Sequence, residues 1–439
     1  MLNKIVEALK GRNDLAGWTV RHLITRGGQV YAVPGKIESQ RAVDVERYKV
    51  DVLRQTSTPD GKQAVGSGDV TLLPGDDIQA AIENAILTAG LVANPVHTLP
   101  APGVLPDVPL IDTNLQKDAA AVTKDVIEHI RAAAQNQEVH LTAAECFGEI
   151  HTTHLVNSRG IDAEQESTQI DIEFVLHSQR GESDVETFTE MSRRRVADLQ
   201  LEDEIEQRMQ HTLDLFEAGS PPEWQGPVVL RGKVLETFMA GDSLRGGVLH
   251  TLGSAASKYA KISPWEIGKS VFRGEVKGDP LTVWANRCLP FGINSNRFDE
   301  EGLPAQRVEL IRDNELVSFS ASQRYADYLN LPATGAFGGV ELPSGKLQAS
   351  ALLAEPYVEI IQFSWFNPDL ITGDFATEIR LGYLVENGIR KPFRGGQLIG
   401  NYLDALANVH WSAETGFFGN YLGPHTARFN DLKIAGQGN

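Results

Sequence analysis

The sequence predicts an α+β protein, with N-terminal α/β modules of helix–strands–helix form and a large β-rich C-terminal barrel or sandwich. Three observations carry this. Amphipathic helical runs bracket alternating strand runs twice before about residue 222. Glycine, turn signals and strand runs dominate afterwards. Irregular Pro-rich stretches, ANPVHTLPAPGVLPDVP and GSPPEWQGP, separate the parts. The expected division is 1–110, 111–222 and 223–439. The first two parts share one pattern, as two related halves would, although no sequence repeat links them.

The chain opens on an amphipathic helix, with Leu2, Ile5, Val6 and Leu9 at helical spacing and Gly11 ending the run. WTVRHLIT and QVYAV follow as strands, and Gly27-Gly28 between them reads as a hairpin turn. AVDVERYKVDVLRQT is a long strand, and TPDGK at 58–62 a turn. DDIQAAIENAILTAGL is a helix with Asp76 and Asp77 at its positive end and Ile78, Ile82 and Ile86 on one face. TNLQKDAAAVTKDVIEHIRAAAQ opens the second unit. Strands surround a turn at Ser158–Gly160, and a charged helix running from about Arg193 closes the unit. Beyond it, EPYVEIIQFSWF, EIRLGYLVENGIRKPF and TARFNDLKIAG are the clearest strand and hairpin signals.

The composition limits function. The 439 residues are 41% apolar and 22% charged, normal for a globular protein, with a net charge of −18. That balance argues against an extended nucleic-acid surface and favours polypeptide or small-molecule partners. The two cysteines, Cys146 and Cys288, make neither a disulfide framework nor a CxxC zinc pair. The first helix is interrupted by charge, unlike a secretory signal, and no window approaches the length of a membrane span, so a cytoplasmic protein with no membrane partner is expected.

Each candidate for chemistry has a plainer reading beside it. His151 and His154, three apart in a strand, would point to opposite faces, which suits two polar strand residues better than two metal ligands. LRGGVLHTLGSAASK and FRGGQLIG are glycine-rich but lack the phosphate-loop pattern, and neither GxSxG nor HExxH occurs. Cys288 sits among apolar residues, where a thiol is usually buried and inert. Arg193, Arg194 and Arg195 suit an acidic partner, but a solvated helix start is the default reading. Asp299-Glu300-Glu301, just before Gly302, could serve a site, but carboxylates in a turn more often accept backbone amides.

At this acidic run the sequence resembles the TldD/PmbA family. RFDEEGLPAQRVELIRDNELVSFSASQRYADYLNLPATG matches a family signature through Phe298, Asp299, Glu300, Glu301, Gly302, Leu310, Ile311, Thr334 and Gly335. Asn157, Ser158 and Gly160 match its Asn-Ser-x-Gly turn. Thr372 to Phe375, Gly382, Glu386 to Gly388, Gly400 and Asn401 match its C-terminal signature. The resemblance runs from about Asn157 to the end.

The resemblance implies two kinds of chain. TldD-type members carry zinc on HExxxH, with a late cysteine as a further ligand; TldE-type (PmbA) members do not. The motif belongs after the strand PVVL, where this sequence has LETFMA. Leu235 and Ala240 stand at the histidine positions and only Glu236 is kept, while no cysteine follows Cys288. Leu235, Phe238 and Met239 form an apolar stripe instead. The expectation is therefore a TldE/PmbA-like, non-catalytic subunit with no catalytic residue and no metal of its own. It would pair with a zinc-bearing TldD-like chain, or with itself, in a cytosolic metalloprotease of unfolded polypeptides. The roles this implies are peptide-precursor maturation and antitoxin degradation, and the family also carries the label of a modulator of DNA gyrase. Asp299, Glu300, Glu301, Gly302, Asp374, Phe375 and Asn401 are the expected substrate or partner contacts. The alternative is a stand-alone homodimeric enzyme or a peptide-binding protein, in a natural-product pathway.

Overall fold

The computed structural model describes residues 1–134, 136, 138–241 and 246–436. Of the sequence runs above, Gln135, Leu244 and Arg245 lie outside the described ones.

The N-terminal part is one antiparallel sheet. Helix α1 (Leu2–Lys10) precedes β1 (Leu15–Val33), β2 (Lys36–Ser57), β3 (Gln63–Leu72) and α2 (Ile78–Ala89). Short α3 (Thr113–Lys117) and α4 (Ala119–Ala133) precede β4 (Val139–Asn157), β5 (Asp162–Arg180), β6 (Ser183–Arg193) and α5 (Leu201–Glu217). The strand order is β3-β2-β1-β4-β5-β6, with β1 antiparallel to β4. The order is symmetric about that central pair, so the two helix–strands–helix segments each supply one half of a single sheet. Their helices cover one face: Ile5, Leu9, Ile82 and Ile86 bury against Val20, Val50 and Val52, and Ile127 and Ile130 against Val30 and Ile172. Each such side chain contributes roughly 1.5–3 kcal/mol by leaving water.

Two sequence readings change here. Gly27-Gly28 is not a turn: β1 runs through it unbroken, and the hairpin closes at Pro34-Gly35 instead. The pair is a packing site. A Cβ on Gly28 would lie 2.8 Å from the Ala120 backbone of α4, and one on Gly27 would lie 2.1 Å from the Gly148 carbonyl of β4. Nor does the closing helix begin at Arg193. That residue ends β6, a 3-10 turn (Val196–Leu199) follows, and α5 starts at Leu201. Burial alternates along β6 through Thr187, Thr189 and Met191 to Arg193, so the period of two carries an arginine to the inner face.

The C-terminal part holds two further sheets. Its first elements are β7 (Trp224–Arg231), α6 (Gly232–Ala240), α7 (Val248–Leu252), α8 (Ala255–Tyr259), β8 (Val283–Asn286), β9 (Arg307–Arg312) and β10 (Glu315–Leu316). Then come α9 (Gln323–Leu329), β11 (Gly339–Glu341), α10 (Ala349–Leu352), β12 (Tyr357–Phe363), β13 (Asp374–Glu386), β14 (Ile389–Phe393) and β15 (Gln397–Asn401). The last are α11 (Tyr402–Ala407), β16 (Val409–Trp411), β17 (Thr415–Phe418), β18 (Tyr421–Pro424) and β19 (Thr426–Ala435). Strands β12-β7-β19-β15-β13 close into a barrel because β12 also pairs with β13. The second sheet is β10-β9-β8-β11-β18-β17. Asn387-Gly388, both at positive φ, make the tight β13–β14 turn. The α+β class and the β-rich C-terminal barrel are as the sequence predicts. No described helix is long and apolar enough to cross a membrane.

Candidate functional site

Helix α6 follows β7 directly, as the resemblance requires. Leu235, Phe238 and Met239 are at most 1% exposed, and Phe238 stacks on Tyr402 at 4.7 Å and contacts Phe375, Phe366 and Phe429. The stripe is a core contact. Phe375, from the C-terminal signature, and Tyr402, the residue that follows it after Asn401, are its partners, which joins two separated sequence segments in one apolar cluster. Leu235 and Ala240 offer no lone pair, so a zinc ion does not fit these positions. Among the described residues, no three His, Cys, Asp or Glu side chains converge as metal ligands.

Glu236 is buried. Oε1 accepts the Asn420 amide at 3.1 Å, while Oε2 has no hydrogen-bond partner and only the Lys233 ammonium 3.4 Å away. Gly419, at φ +55, leaves the room: a Cβ there would stand 2.5 Å from Glu236 Oε1 and 3.0 Å from Arg193 Nη1.

The acidic run is a structural knot. Asp299, 7% exposed, accepts the amides of Glu301 and Leu303 through Oδ1 and that of Ala336 through Oδ2. Its Oδ2 is 3.8 Å from the guanidinium of fully buried Arg287, which donates to the carbonyls of Leu303, Pro304 and Thr334 and to Asn296. Gly335 closes the group: a Cβ there would sit 2.1 Å from Arg287 and 2.8 Å from Asp299. This is why a Phe-Asp run and a distant Thr-Gly belong to one signature. Glu300, exposed, pairs at 2.9 Å with Arg21 of β1, which also holds Asp51. Glu301 Oε2 accepts the Gln323 amide at the start of α9, and burial pushes its carboxyl up to about 7. Gly302, at φ +95, packs on Ile161 and Leu155 of the N-terminal part. The run thus bonds to its own loop, to the N-terminal sheet and to α9.

The other predicted residues sit elsewhere. Asn401 donates to the Thr372 carbonyl and Asp374 and caps α11 by accepting the Leu403 and Asp404 amides, so Asp374 and Asn401 shape one turn at the barrel end. Asn157 likewise braces its turn, accepting from Arg159 and Ile161 and donating to the Pro100 carbonyl. Burial raises the Cys288 thiol, with Arg287 opposing, which leaves it protonated and a poor nucleophile. His154 bonds Asp162 and His151 faces Thr25, each on its own side of β4.

Sequence reasoning missed Arg194. It is 6% exposed, not solvated, and donates four hydrogen bonds to the carbonyls of Thr168, Gly292, Ile293 and Ser295. Burial with no carboxylate beside it pulls it down to about 10. It ties β5 and the end of β6 to the loop of the second sheet and lines a polar cavity of about 320 Å³. The strand alternation through Met191 points to Arg193, not Arg194, so no pattern in the sequence marks it.

Fold, barrel and signature residues together are similar to those of the TldD/PmbA metallopeptidases. A family model for the PmbA/TldA metallopeptidase C-terminal domain matches residues 227–436, and that part of the chain is of the TldD/PmbA family. An uncharacterized protein of Methanocaldococcus jannaschii is 23% identical over 311 residues, covering 66% of this chain and 68% of that one. The metalloprotease PmbA of Escherichia coli O157:H7 is 28% identical over 31% of each chain. A metalloprotease TldD homolog of Haemophilus influenzae is 25% identical over 33% of this chain and 34% of its own length. The chain thus spans about a third of those two metalloproteases. Among solved structures, a candidate modulator of a DNA gyrase from Thermotoga maritima superposes with a TM-score of 0.82 at 17% identity, covering 99% of this chain and all of that one. TldE from Thermococcus kodakarensis gives 0.81 at 16% identity, with 99% and 100% covered. At such identities these structures speak for the fold.

Proposed function

We propose that this chain is the non-catalytic, TldE/PmbA-like subunit of a cytosolic zinc metalloprotease that acts on unfolded polypeptides. The observation that carries the reading is α6. At the two positions where the family's zinc-bearing chains hold histidines, this chain has a fully buried leucine and an alanine packed against the core. A helix rebuilt as core supports a scaffold role and no metal on this chain. Zinc and the general base would come from a TldD-like partner, with Glu236 buried and its Oε1 held by the Asn420 amide. Asp299, Glu301, Asp374 and Asn401 act by shaping loops, and exposed Glu300 is the best placed of the predicted residues to meet a partner.

Native mass spectrometry with metal analysis, on the protein drawn gently from its own cells, tests this. The expected result is a one-to-one complex with a second chain and a single zinc on that chain. A homodimer that hydrolyses peptides in the presence of a chelator would overturn it.

A further inference from the structure

We propose that the polar cavity beside Arg194 is a carboxylate-binding site that takes the free C-terminus of a peptide. The peptide part rests on the function proposed above; the carboxylate part stands on the cavity itself. It lies between β5 and the loop 292–296 and is lined by Gln165, Ser167, Arg194, Asn294, Ser295 and Asn296, with apolar side chains at its edge. About 320 Å³ is room for roughly ten waters, at the lower end of ligand pockets.

Its chemistry is one-sided. Arg194 uses four of its five guanidinium hydrogens on carbonyls; Nη1 donates once, to Thr168, and keeps a second hydrogen. A buried guanidinium is usually matched by an acid, yet among the described residues no carboxylate pairs with Arg194. Ser295 is 2% exposed and its hydroxyl has no hydrogen-bond partner. Asn296 gives its Oδ1 to Arg287, which leaves its amide hydrogens as donors. Unspent donors, one cation and no acid among the lining residues fit a single negative charge. A phosphate would ask for a cluster of arginines. The cavity also adjoins the degenerate zinc position: Asn420 accepts the Asn294 amide through Oδ1 and gives its own amide to Glu236. A peptide end held here lies beside the surface at which a cleft would be completed.

The test compares N-acetylated Ala-Gly-Ala as free acid and as C-terminal amide, by calorimetry on the full chain. The free acid is expected to bind at least about tenfold tighter, since hydrogen bonds to a charged group are the strong ones. Arg194 itself braces four carbonyls, so its variants could simply unfold. Ser167→Asp, which places a carboxylate in the cavity, should abolish the preference. Ser295→Ala should weaken the acid several-fold without lowering the melting temperature. Acetate, compared with chloride at equal ionic strength, should raise the melting temperature of the native chain and not of Ser167→Asp. An acetate effect with no preference between acid and amide would keep the carboxylate site, overturn the peptide terminus as its source, and leave the proposed function to the mass spectrometry. No acetate effect and equal affinities would overturn the site.

Discussion

Helix α6 and the loop 298–304 are both signature segments, and both hold acidic residues, yet they are built in opposite ways. In α6 the side chains turn inward, and Leu235, Phe238 and Met239 fill an aromatic cluster from the barrel. In the loop the carboxylates reach outward to amides and arginines on three separate elements. The first segment resembles the family by position and departs from it in chemistry. The second keeps the residues and uses them as struts. A signature residue therefore marks either a reaction or an architecture, and burial with satisfied hydrogen bonds tells the two apart.

The largest expected effect comes from the loop. Asp299→Ala strands three amides and leaves Arg287 buried without its counter-charge, a loss of about 3–5 kcal/mol. Denaturant midpoints measure it. Asp299→Asn, which keeps only part of the acceptor set, should fall between. A loss under about 1 kcal/mol would mean that the knot is not what holds the loop.

Next comes α6. Leu235→His with Ala240→His recreates the histidine spacing but buries an imidazole where no polar partner waits, at a cost of about 2–4 kcal/mol. Metal analysis after dialysis against zinc should find no stoichiometric ion. Tight one-to-one zinc in the double variant would show that the ligand geometry survives beneath the leucine.

Glu301 gives a smaller, pH-dependent effect. Its folded carboxyl is raised to about 7, chiefly by burial. Its contribution is complete below the unfolded value near 4.3 and is lost as pH climbs through 7. Glu301→Gln keeps an acceptor for the Gln323 amide without the charge. It should leave stability at pH 4 nearly unchanged and raise it by about 1–3 kcal/mol at pH 8. Thermal melts of both proteins across that range should converge at low pH and separate at high pH.

How far the sequence carried the reading differs between the same regions. Period-two and period-3.6 patterns located the long strands, the helices and the barrel's hairpins, because burial on one face dictates both patterns. The Leu235 stripe was legible for the same reason. Gly27-Gly28 misled because a glycine pair that admits a crossing helix looks, in one dimension, like a pair that makes a turn; only the Ala120 backbone distinguishes them. Arg194 was illegible as a buried cation because its partners are carbonyls, which every residue owns and no sequence displays. Arg287 and Gly335 belong to one knot across 48 positions, a contact that the chain order does not announce.

The smallest effect is also the most direct test of how the two regions couple. Glu300 is the one member of the trio in open solvent, and its partner Arg21 is 11% exposed and also holds Asp51. Solvent screens such a pair, so Glu300→Ala should cost about 0–1 kcal/mol. Asp51 keeps Arg21 in place, so the loss should shrink further in high salt as the remaining attraction is screened. Arg21→Ala differs, since it releases Asp51 and Glu300 together and strips packing from a nearly buried stem. A double-mutant cycle between the two residues isolates the link from the loop to the N-terminal sheet. A coupling under 1 kcal/mol would leave the Gly302 contact with Ile161 and Leu155 as the main tie at this point. A larger one would make Glu300 a true strut like Asp299, and would take away the one residue of the run still free to meet a partner.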